Sequence, residues 1–81
     1  MIEYFLHLTD SDLRNLAMAL RSERLTLPIS KLAIQRIVSS SLATKIAEEL
    51  QLLANTGFDG QQIATVIDLL VADRIRRMAL G

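Results

Sequence analysis

Few residues of this chain are of a type and spacing that could do chemistry. His7 is the sole histidine and there is no cysteine. No second imidazole or carboxylate cluster stands at ligand spacing from it, so neither a metal site nor a nucleophile with its base can be written. Glu48 and Glu49 are adjacent, and neighbours on a helix point about 100° apart, which prevents them from working as a carboxylate dyad. They read as a solvated helix face. Asp68 interrupts the apolar stretch from Ile63 to Ala72, yet on a helical wheel it lies beside the apolar stripe and reads as a surface residue. No catalytic, cofactor-binding or metal-ligating residue is therefore expected, and the chain is not read as an enzyme.

Charge is more informative locally than in sum. Nine Lys and Arg balance nine Asp and Glu, but between Glu23 and Glu48 there is no acid while Arg24, Lys31, Arg36 and Lys45 are present. One function for such a basic face is an electrostatic rim for an acidic protein partner. Another is contact with nucleic-acid phosphates, through a helix-turn-helix whose recognition helix aims several polar side chains at base edges. The helix after the serines offers only Thr44 and Lys45 for that task. With zero net charge and no aromatic set for stacking single strands, the nucleic-acid reading ranks second. Arg74, Arg76 and Arg77 cluster near the end of the last helix, where cations offset the helix dipole without any ligand.

The elements that must position these residues are legible from caps and periodicity. Thr9 precedes Asp10-Ser11-Asp12; Thr9 is placed to accept from a first-turn amide while Asp12 reaches back, and the acids favour the positive end of the dipole. A helix is predicted from Asp10 to about Ser22, with Leu13, Leu16, Ala17 and Leu20 on one face and Leu8 as a hydrophobic staple. Pro28 breaks the pattern and pushes Leu27 out of helical angles. Leu25, Leu27 and Ile29 alternate in this connector, either as plugs for the core or as an exposed apolar contact for a partner. Ser30 caps a short helix from Lys31 to about Val38, and Ser39 to Ser41 supply a break and a new cap. The third helix is predicted over Leu42 to Asn55. Gly57 is placed to take left-handed angles at its end, with Phe58 closing the cap. Asp59 and Gln62 form the next capping box and open the last helix, Gly60 to about Met78, with Ile63, Val66, Ile67, Leu70 and Val71 as its buried stripe. The state of Ile2 to Leu8 is left open.

Length and composition bound the rest. At 81 residues and 9.0 kDa the chain is a single domain, 51% apolar, 4% aromatic and 22% charged, with a mean hydropathy of +0.32. This is a folding composition whose core is aliphatic. The fold class is all-α, a compact bundle of four to five short helices. Glu3 stands where a signal peptide needs a basic leader, and the longest apolar stretch is about half the roughly 20 residues that cross a bilayer; the expected location is cytoplasmic, with no membrane contact. A single core of this size rarely supplies more than about 3 to 5 kcal/mol, which favours a protein partner or self-association.

Three segments carry a family resemblance: Leu13-Arg14-Asn15-Leu16-Ala17-Met18-Ala19-Leu20-Arg21-Ser22, Pro28-Ile29-Ser30-Lys31-Leu32-Ala33-Ile34-Gln35-Arg36, and Ala47-Glu48-Glu49-Leu50-Gln51-Leu52-Leu53-Ala54 leading into Gly57-Phe58. Together they resemble the helical N-terminal region of the phospholipase D-like proteins of the DISARM anti-phage system. The chain is also similar, less closely, to bacterial effector-associated and death-like helical domains. Catalysis in the first family belongs to a later domain with a His-x-Lys-x-x-x-x-Asp motif, whereas His7 is followed by Leu8 and Thr9. The resemblance implies a non-catalytic accessory module of a prokaryotic defence protein. The expected function is a helical interaction module using Leu25, Leu27 and Ile29 with Arg24, Lys31, Arg36 and Lys45 as its rim. The alternatives are a small DNA-binding module or a structural cap for a downstream nuclease domain. No small-molecule substrate is expected.

Overall fold

In the computed structural model, which describes residues 3–26, 29–38 and 41–80 (Leu80 without its side chain), the periodic segments become four α-helices and the described residues contain no strand. Helix α1 spans Asp10–Arg21, α2 Lys31–Ile37, α3 Ala43–Asn55 and α4 Gly60–Leu80. A short 3-10 helix, Phe5–His7, precedes them. Helix α1 packs chiefly on α4 and α2 on α3. At about 1.5 Å per residue, the 21 residues of α4 set the long axis of a body measuring 38 × 26 × 23 Å.

Four helix boundaries have a clear local cause. Thr9 Oγ1 accepts from the Asp12 amide at 3.1 Å, so the cap of α1 forms as expected. The reciprocal bond from Asp12 to the Thr9 amide is not made; aspartate is one methylene shorter than the glutamate that usually reaches back. Ser30 Oγ accepts from the Ala33 amide at 3.4 Å and opens α2. The cap of α3 does not fall on a serine: it is Leu42, with no side-chain cap bond, while Ser41 lies in the preceding turn and Ser39 and Ser40 are outside the described residues. Gly57 sits at φ 105°, its amide bonded to Ala54 O and the Phe58 amide to Leu53 O, both at 3.1 Å. That pair of bonds is the Schellman closure. Asp59 and Gln62 then bond reciprocally, at 3.0 and 2.8 Å, to start α4.

The core is aliphatic with one aromatic. Leu13, Leu16, Ala17 and Leu20 of α1 are buried as the wheel predicts, with Ile46 and Leu50 of α3 and Ile63, Ala64, Ile67 and Val71 of α4. Val66 and Leu70 lie at its edge. Phe5, from the segment whose state was left open, has no exposed surface at all.

The left-handed turn at Gly57 yields a stability prediction. No neighbouring residue comes within 4 Å of a Cβ built there, so the cost of Gly57→Ala is the strain of a Cβ against its own backbone at this positive φ, expected at about 1 to 2 kcal/mol. Urea unfolding followed by far-UV circular dichroism checks it. Gly57→Asn is expected to lose less than alanine, because asparagine tolerates left-handed angles.

Candidate interaction face

Two of the three residues expected to form an apolar contact, Leu25 and Ile29, do not present one. Leu25 is 3% exposed and Ile29 packs against the core; Leu27 lies outside the described residues. The connector plugs the core because its backbone is tied inward. The Leu25 amide bonds to Ala19 O at 3.1 Å, and the Ile29 amide bonds to Gln51 Oε1 of α3 at 2.9 Å. Gln51 is in turn held by Asn55 at 3.1 Å.

The four cations of the expected rim separate. Arg24 and Arg36 line one open groove of about 470 Å³ between α1 and α2, with Asn15, Ala19, Ala33 and Ile37. Lys31 stands five residues before Arg36, about 140° away around the helix, and does not line it. Lys45 is on α3 and faces Glu48 at 3.8 Å. Arg24 is steadied by Ser22, whose Oγ accepts from its Nε at 3.1 Å.

Of the cations outside that rim, all but Arg14 pair with a carboxylate among the described residues. Arg21 of α1 pairs with Asp68 of α4, which confirms Asp68 as a surface residue. Arg76 and Arg77 both pair with Asp73, at 2.8 and 2.9 Å. Arg74 differs from its neighbours and from the dipole-compensating role expected of it. It is half-buried, and its guanidinium donates to the carbonyls of Leu8 (2.7 Å), Phe5 (3.1 Å) and Leu6 (2.7 Å) and to Asp10 Oδ1 (3.1 Å). Its position explains this: it falls three residues after Val71 and seven after Ile67, on the buried stripe of α4.

Glu49 also departs from expectation. It is 5% exposed, because it lies three residues after Ile46 and four before Leu53 on the inner side of α3. Its Oε1 accepts the Tyr4 amide at 3.0 Å. Burial pushes its carboxyl above the ordinary value, and the facing amides of Tyr4 and Phe5 only partly offset this. Glu48, by contrast, is solvated as expected. Among the described residues no group of three His, Cys, Asp or Glu is placed to hold a metal ion, and no helix is long and apolar enough to cross a membrane.

Three variants test these anchors. Arg74→Met keeps the aliphatic stem but leaves the Leu6 and Leu8 carbonyls without their donor, while Phe5 O keeps only the Leu8 amide, and is expected to cost about 2 to 3 kcal/mol in urea unfolding. Arg74→Lys is expected to recover less than half of that, since one ammonium cannot reach the acceptors a guanidinium fork spans. For Glu49 the sign follows from its raised carboxyl: between the ordinary value of 4.5 and its higher native value, the folded chain binds more protons than the unfolded one. Stability is therefore gained as pH falls through that window and lost as it rises. Measured against the non-titrating Glu49→Gln, the wild type is expected to gain stability from neutral pH toward 4.5; a difference that moves the other way contradicts the assignment. No family model, curated protein or solved structure matches the chain, so its function is argued from this geometry.

Proposed function

We propose that the chain is a non-catalytic helical interaction module that docks a protein partner by seating an acidic segment in the groove between α1 and α2. The observation that carries this reading is the division of the cations. Arg21, Lys45, Arg74, Arg76 and Arg77 each face a carboxylate of the chain itself. Arg24 and Arg36 have no such partner among the described residues and line a groove whose remaining walls include Ala19, Ala33 and Ile37. Carboxylates interleaved with aliphatic side chains match that combination better than a phosphate backbone, which would leave the apolar walls uncovered. The resemblance to the N-terminal region of phospholipase D-like defence proteins supplies the setting for this proposal, an accessory module in anti-phage defence.

Nucleic-acid binding is the second reading. Arg14 and Lys31 join Arg24 and Arg36 in lacking a carboxylate partner among the described residues, and all four lie on α1, α2 or their connector. A structural cap for an adjoining nuclease domain has the exposed Ile75 and Met78 near the end of α4 in its favour.

Fluorescence anisotropy with two probes separates the readings: a labelled acidic peptide carrying leucines among its carboxylates, and a short duplex DNA. The expected result is peptide binding that Arg24→Glu with Arg36→Glu weakens by at least about tenfold and Lys45→Glu leaves unchanged. Duplex binding alone, falling steeply with salt, would overturn the proposal in favour of the second reading, and silence of both probes at concentrations where the chain is monomeric would overturn it outright.

A further inference from the structure

The groove of Arg24 and Arg36 has a neighbour of opposite sign. A second open groove, of about 350 Å³, is lined by Glu23, Leu25 and Thr26 of the connector, Leu20 of α1, and Asp59 with Gln61 at the start of α4. Both grooves are built on the last turn of α1: Ala19 lines the first and Leu20 the second. The connector is the ridge between them, with Glu23 on one flank and Arg24 on the other. Glu23 and Asp59 are exposed, and neither has a cation within ion-pair distance among the described residues.

Opposite charges held side by side on one ridge make a self-complementary face. Rotation by half a turn about an axis through the ridge exchanges the two flanks, so a second copy offers acid where the first offers base, and the reverse. Resting on the interaction-module reading, we propose that the acidic surface that meets the α1–α2 groove belongs to a second copy of this chain, and that Glu23 of its connector and Asp59 at the start of its α4 supply the carboxylates. Glu23 and Asp59 of each copy face Arg24 and Arg36 of the other in a two-fold dimer. Zero net charge removes the long-range repulsion that would oppose two identical chains.

The backbone supports a role for Glu23. Its φ is 61°, left-handed and non-glycine, and it ends α1 with its amide on Leu20 O at 3.4 Å. Glycine would adopt these angles without the steric penalty of a Cβ. Glu23 and Arg24 line different grooves, on opposite sides of the ridge, the arrangement that the two-fold exchange requires.

The test is sedimentation velocity of the full chain over a concentration series, at low and at physiological salt. Two double variants are compared. Arg24→Glu with Arg36→Glu makes both flanks acidic. Glu23→Lys with Asp59→Asn removes the acid from the other flank while asparagine keeps the oxygen that caps α4. All substituted side chains are exposed, and far-UV circular dichroism confirms that each variant folds. The wild type is expected to form a dimer that weakens as salt is added. Each double variant alone is expected to raise the dissociation constant by at least about tenfold, and an equimolar mixture of the two to restore it to within about threefold. Assembly that grows past the dimer would overturn the two-fold arrangement. A wild type that stays monomeric up to about 1 mM would overturn self-docking. In that case binding of the acidic peptide decides the underlying reading separately: bound peptide leaves the interaction module standing with another occupant, and unbound peptide removes both.

Discussion

The guanidinium of Arg74 closes the bundle. It gathers the carbonyls of Phe5, Leu6 and Leu8 and the carboxylate of Asp10 onto one half-buried group. The segment it holds is three residues of 3-10 helix with no side-chain cap of its own, too short to persist by its own hydrogen bonds. At the other end of that segment the Tyr4 amide is received by Glu49. An anion thus meets the N–H end of the turn and a cation its C=O end, the polarity that a row of peptide dipoles prefers. Between the two clamps Phe5 is driven into the core, where it is fully buried. The carbonyl bonds matter more than the ion pair with Asp10, whose carboxylate is 38% exposed and for which solvent screening leaves less than about 1 kcal/mol.

The four α-helices were legible because each carries its own boundary chemistry. Thr9, Ser30, Gly57 and the Asp59–Gln62 pair act within three or four residues of themselves, so local sequence contains the whole interaction. What escaped was non-local. Phe5 and its turn depend on Arg74 and Glu49, which lie 69 and 45 positions away along the chain from the groups they bind. Both of these charged residues sit on the buried stripes of their helices. The periodicity held the clue: a charge at a core position calls for a buried partner. Reading Glu49 with Glu48, and Arg74 with Arg76 and Arg77, averaged that clue away. Leu42 is a different kind of miss, since a helix start without a side-chain cap leaves no mark for a rule built on capping residues.

Of the expected rim, only Arg24 and Arg36 converge on one groove. The acid-free run from residue 24 to residue 47 was a sound sign of excess positive charge. It was silent on which cations share a face, because α2 turns Lys31 away and α3 gives Lys45 an acid of its own. Leu25 shows the complementary limit. An alternating apolar pattern in a connector does not distinguish a plug from a contact, and here the bond from its amide to Ala19 O settles the matter for the interior.

Charge is therefore used in two ways that barely overlap in space. Arg74 and Glu49 spend theirs within the fold, one on carbonyls and one on an amide, and fix how the N-terminal segment covers the core. Glu23, Arg24 and Arg36 keep theirs on the surface around a connector that Leu25 anchors from below, and Asp59 does both, one oxygen capping α4 while the carboxylate stays exposed. Because that anchoring comes from a buried leucine and backbone bonds to Ala19 and Gln51, the surface charges are not needed to hold the ridge in place. A small bundle gains from this separation. With a core limited to a few helical turns, a charged residue that also carried the fold could not be altered for recognition without loss of stability, whereas Glu23 and Arg24 stand beside a buried Leu25 that holds their backbone and leaves their charges free to set the partner.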